Sequence, residues 1–169
     1  MSDTASGDAS ARPGGPDGPG GLAVSEPVPE PQGETECLRL ISPGGIGRLA
    51  YSRPDGPAVL PVNYKLHEGT IVFRTSQDGP VGDDLRTGIA EAEYKVAFEI
   101  DSLGIADREG WFVFIHGAAH HVDSDAERAS VLQSGVEPWP AGEREHFVRI
   151  IPTLITGWRI CRTATAASV

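Results

Sequence analysis

The chain has 169 residues and a formal net charge of −10 at pH 7, enough for one domain with a real core and too few for two large ones. Residues 1–36 hold seven acids against Arg12 alone, which puts −6 in that stretch and −4 in the rest. Neither part offers the basic footprint of a nucleic-acid binder, and neither a membrane span nor a charged-then-apolar secretion signal is legible, so a cytoplasmic protein is expected.

Residues 1–33 are Gly, Pro, Ser, Ala and acid, with Leu22 and Val24 almost the only sizeable apolar side chains. Such a stretch cannot bury enough surface to offset its ordering entropy and is expected to be a disordered tail. The folded domain is expected over 34–162, with 163–169 disordered. Thr35–Ser42 has Cys37, Leu40 and Ile41 at helical spacing, and Pro43-Gly44-Gly45 stops it. The second cysteine, Cys161, is far away in sequence, and both are read as free thiols.

Gly45–Ala50 reads GIGRLA, formally the dinucleotide pattern G-x-G-x-x-A. That pattern binds a pyrophosphate only after a strand and at the start of a helix. Here a helix precedes it and the turn at Pro54-Asp55-Gly56 follows, so Ile46–Ser52 is predicted as a strand.

Ala58, Leu60, Val62, Tyr64 and Leu66 alternate along a second strand, sharing one face. His67-Glu68-Gly69 turns the chain, and the β-branched Thr70–Thr75 returns it. A loop at Ser76–Gly82 leads to a short helix expected at Asp83–Ala92. Strands are predicted at Tyr94–Asp101 and Trp111–Asp123, the latter with a bulge at Gly117. Ser124 caps a helix running to about Gln133. Two last strands, Glu145–Ile151 and Leu154–Ile160, are separated near Pro152. Six or seven strands without a βαβ rhythm predict a mainly β fold with short helices, a closed antiparallel sheet.

Among chemistry-bearing residues, His116 and His120 lie on a strand, where four residues span about 13 Å, too far to share an ion. No metal site is expected. No nucleophile turn supports a triad, and Glu143, Glu145 and His146 read as solvated loop groups, so no catalytic residue is assigned. Arg74 with Thr75 and Ser76 offers a cation and two hydroxyls suited to a phosphate, against the plainer reading of a surface arginine. Trp111, Trp139 and Trp158 either wall a slot for a flat ring or belong to the core.

The segments PAVLPVNYKLHEGTIVFRT, VAFEID, EGWFVFIHGAAHHV and PWPAGEREHFVRIIPTLITGWRI occur in that order. Together, from about Glu36 to Ile160, they resemble the pyridoxamine 5′-phosphate oxidase-like, FMN-binding split-barrel proteins, in particular the small bacterial members. The resemblance implies a six-stranded antiparallel split barrel, paired as a homodimer with FMN in the groove between subunits. It places Pro61, Val62, Asn63 and Tyr64 along the flavin ring and Arg74, Thr75 and Ser76 near its phosphate. Trp111 would approach the ring or the opposite subunit's cofactor, and Trp158 and Arg159 would reach the pocket. It implies a flavin-dependent oxidoreductase of unknown substrate. The alternative is a non-enzymatic ligand-binding or sensing module, or a relative using F420 or haem. One departure is plain: Val81 and Gly82 stand where these proteins usually carry a phosphate-binding lysine.

Overall fold

The structure, a computed structural model, describes residues 27–76, 81, 85, 94–139 and 144–162. Within them lie strands β1 (Pro27–Gln32), β2 (Gly45–Arg53), β3 (Gly56–His67), β4 (Thr70–Thr75), β5 (Tyr94–Leu103), β6 (Gly110–His121) and β7 (His146–Arg162). Two helices, α1 (Glu34–Ile41) and α2 (Asp125–Leu132), complete the described elements. The mainly β composition with short helices is as expected. The expected helix at Asp83–Ala92 lies, except for Leu85, outside the described residues, as do residues 1–26 and 163–169.

All pairings are antiparallel, in the order β1-β7-β4-β3-β2-β5-β6. β6 pairs again with β7, so six strands run in a ring and β1 hangs outside it. The β2–β5 seam is narrow, only Arg48–Ala50 against Ala97–Glu99. The alternation read in β3 holds: Tyr64 is buried, and Ala58, Leu60, Val62 and Leu66 pack against the same core as Phe73, Phe98, Ile115 and Ile150. Cys37 and Ile41 of α1, four apart and so on one helix face, are fully buried in that core. A second, smaller core of Val72, Val122, Val131, Val136 and Phe147 lies on the other face of β4 and β7, under α2.

The turn between β3 and β4 has Glu68 at φ 49° and Gly69 at φ 73°, the two positive values of the turn that matches strand twist in tight hairpins. The cap on α2 is also as expected, with Ser124 Oγ accepting from the Glu127 N–H at 3.2 Å. The G-x-G-x-x-A stretch is strand β2.

Two expectations are corrected. Pro27–Gln32, assigned to the disordered tail, pairs along its whole length with β7. Its prolines occupy alternate positions 27, 29 and 31, so every missing N–H falls on one side of the strand. That side is the open edge, and Val28, Glu30 and Gln32 carry the ladder. The last two strands are one, with Pro152 inside it. Beyond β6, β7 pairs with β4 through His146–Ile150 and with β1 through Gly157–Arg162. Pro152 therefore sits where one side of β7 has no partner, a position that tolerates a lost donor. The register shift expected at Gly117 is present; it leaves Thr153 unpaired in β7, its hydroxyl donating to His116 O at 3.1 Å.

Candidate functional site

Strand parity divides the β3 residues of interest. Val62 and Tyr64 face the core, whereas Pro61 and Asn63 face outward. Tyr64 donates its hydroxyl to Ile41 O at 3.0 Å and meets Phe98 edge-on at 5.4 Å. Burial pushes its phenol up to about 12. The Asn63 amide clasps the segment after α2: Nδ2 donates to Glu137 O, and Oδ1 accepts from Trp139 N at 3.2 Å. This clasp closes one side of a cleft of about 390 Å³ between the α1–β2 turn and that segment, with Gly44, Lys65 and Trp139 on its walls. Lys65 Nζ donates to Pro43 O at 3.0 Å.

Arg74 and Thr75, successive on β4, face opposite ways. Thr75 is buried, its hydroxyl donating to Ser76 O at 3.3 Å. Arg74 emerges on the outward side with Asn63, since Tyr64 and Phe73, their neighbours, are paired and face the core. Its Nε donates to Arg144 O at 2.6 Å and its guanidinium lies 5.1 Å from the Phe147 ring centroid. Val81, at the place where a lysine is usual, is 1 % exposed and part of the main core.

The third group lies on the β6–β7 ladder, toward the C-terminal end of β7. Trp158 stacks on Phe112 at 5.3 Å, with Phe114 edge-on. Trp111 is half-buried and packs against the main core. Arg159, paired in register with Trp111, bonds Glu36 of α1 at 3.2 Å. Hydrogen bonding from Arg39, and then the Arg159 charge, hold the Glu36 carboxyl below the usual range. The structure thus brings Pro61, Asn63 and Arg74 to one face, turns Val62, Tyr64 and Thr75 inward, and sets Trp158 and Arg159 apart from them.

Sequence reasoning missed two features. Arg149 is a hub that bonds Thr70 at 2.9 Å, Glu68 at 3.0 Å and Glu127 at 3.5 Å. His120 meets Glu127 at 2.8 Å, and Ser130 meets both His67 and Glu68. Hydrogen bonds from Arg149 and Ser130 hold the Glu68 carboxyl below its usual range. The other is Arg128, 5.5 Å from the Phe147 ring centroid. Its place three residues before the buried Val131 is the signal that it faces the sheet. Among the described residues, no group of three or more His, Cys, Asp or Glu is placed to hold a metal, and no helix is long and apolar enough to cross a membrane. Glu143 lies outside them.

A family model described as pyridoxamine 5′-phosphate oxidase matches residues 33–159. Uncharacterized protein Rv0080 of Mycobacterium tuberculosis is 34 % identical over 125 residues, covering 74 % of this chain and 81 % of that protein. Rv3129 of the same species is 35 % identical over 88 residues, 52 % of this chain and 73 % of its own. Among solved structures, the FAD binding protein from Mycobacterium smegmatis aligns with a TM-score of 0.66 at 27 % identity, covering 78 % of this chain and 98 % of that one. A FAD-binding protein from Mesorhizobium loti, at 20 % identity and a TM-score of 0.61 over 80 % and 98 % of the two chains, shares the fold. The chain belongs to the pyridoxamine 5′-phosphate oxidase-like, FMN-binding split-barrel family.

Proposed function

We propose that this protein is a flavin-dependent oxidoreductase whose strand ring is a split barrel and whose FMN lies in a groove shared by two copies of the chain. One observation carries the reading: Pro61, Asn63 and Arg74 open on the same outward face, where Arg74 gives an anionic tail a half-buried guanidinium. The donor set at that corner fits a phosphate, because a planar guanidinium offers paired N–H groups to its oxygens. Arg74 would hold the phosphate, the β3 main chain near Pro61 would line the ring, and Asn63 would fix the Glu137–Trp139 segment beside it. When bound, the flavin supplies the electron-transfer chemistry, and the chain positions it and shapes access.

Pairing has support in apolar side chains left outside: Val59 is 65 %, Leu154 53 %, Ile46 41 % and Phe114 39 % exposed. A second copy is the occupant this reading assigns to these side chains. The M. smegmatis relative, an FAD binding protein, supports FAD as the alternative flavin.

Purified protein should be yellow or take up added FMN, with colour lost in Arg74→Ala. A colourless protein that takes up neither FMN, FAD, F420 nor haem sinks the redox reading and leaves a sensing module in its place. Light scattering tests the shared groove independently: a strictly monomeric species contradicts it. Mass spectrometry of the released cofactor separates FMN from FAD.

A further inference from the structure

Half of the described arginines meet carboxylates, Arg53 with Asp55 among them. Arg39 and Arg159 share Glu36, Arg48 holds Glu99 and Asp101, and Arg149 holds Glu68 and Glu127. Arg74 and Arg128 are among those that do not, and they are set apart by what they approach instead. They approach the ring of Phe147, itself 2 % exposed, from two different elements, β4 and α2. Each spends one N–H on successive carbonyls of the segment entering β7: Arg74 Nε on Arg144 O, and Arg128 Nη1 on Glu145 O at 3.1 Å. Neither meets a carboxylate among the described residues. In that same segment the Nε of Arg144 is buried with no hydrogen-bond partner among them.

The two cations that share the Phe147 ring repel, and the unmet buried donor of Arg144 costs further. An anion with several acceptor oxygens answers both. We propose that Arg74, Arg128 and Arg144 form a binding site for a phosphate monoester, with Arg128 and Arg144 as cations additional to Arg74. A doubly charged, many-oxygened group suits several guanidinium forks better than a carboxylate with its two oxygens. The phosphate is either the tail of a flavin mononucleotide, in which case the site rests on the flavin reading, or part of another small phosphorylated compound, in which case it stands without it.

The test uses the full chain and binding alone. Affinities for FMN and riboflavin are measured by flavin fluorescence, and for inorganic phosphate by equilibrium dialysis, on wild type, Arg128→Gln, Arg128→Lys and Arg144→Gln. Thermal melts confirm that each variant folds, and if the glutamine variants do not, Arg128→Lys is read against wild type alone. Loss of one charge-assisted contact should weaken FMN about tenfold in each glutamine variant and less in Arg128→Lys, with riboflavin unchanged. That result assigns the site to the flavin's tail. If FMN and riboflavin bind alike in all proteins while the variants lose inorganic phosphate, the site stands and serves another phosphorylated ligand. If wild type binds phosphate and no flavin, the flavin reading falls and the site survives. Unchanged FMN and phosphate affinities in the variants, or a wild type that binds neither, overturn the proposal.

Discussion

Gly47→Ala is the sharpest test of how this ring is packed. A Cβ at position 47 would lie 2.3 Å and 2.4 Å from two ring carbons of Phe98 and 3.1 Å from Glu99 O. Real Cβ contacts are not that short, so the ring must move. Phe98 is fully buried and meets Tyr64 edge-on at 5.4 Å, which leaves it little room to retreat. Overpacking of this kind costs about 1–3 kcal/mol, while alanine recovers about 0.5–1 kcal/mol of backbone entropy relative to glycine. A net loss of about 1–2 kcal/mol, at roughly 2–4 °C per kcal/mol for a domain of this size, lowers the melting temperature by about 2–8 °C. Circular dichroism melts and denaturant titrations of wild type, Gly47→Ala, Phe98→Leu and the double variant measure this. The double variant should recover about 1 kcal/mol through direct coupling. Additive single effects, or a Gly47→Ala protein melting at or above wild type, would refute the claim that this glycine exists to admit the Phe98 ring.

Tyr64→Phe removes a buried hydrogen bond to Ile41 O and should cost about 1 kcal/mol. Because burial raises the Tyr64 phenol to about 12, the folded state keeps a proton that the unfolded chain releases above about 10. Its contribution is therefore complete below about pH 10 and lost as pH rises through about 12; denaturant melts across that window should show the decline in wild type and a shallower one in Tyr64→Phe. Arg149→Met strands Glu127 of α2 without its guanidinium; with the two side chains 15 % and 23 % exposed, the expected loss is about 2 kcal/mol, below the range for fully buried pairs. Amide exchange should report the loosening first in α2, and an unchanged α2 would show that the hub does not hold it.

Much of the ring was legible because its signals are local. Alternation from Ala58 to Leu66, the Ser124 cap and the Gly117 irregularity each follow from side chains within a few positions. Misreadings arose where pairing is decided from afar. Pro27–Gln32 has Val28 as its one aliphatic side chain besides proline and becomes a strand only because the C-terminal part of β7 offers it an edge. Pro152 looks like a break until one sees that β7 is unpartnered on one side there. At the candidate site, Arg74 stood out beside two hydroxyls, yet parity sends Thr75 to the opposite face. Arg128 and Arg149 carry no motif at all, for their meaning depends on which strand lies under α2.

β7 follows every other described element in the chain and yet pairs with β1, β4 and β6. During synthesis, the earlier strands must wait without their common partner until the last of them has emerged. Contacts so distant in sequence slow the search for the native state and leave strand edges open to neighbours. A nascent chain stalled before His146 would be expected to recruit chaperones, and release of the final segment would act as the zip that seals the molecule.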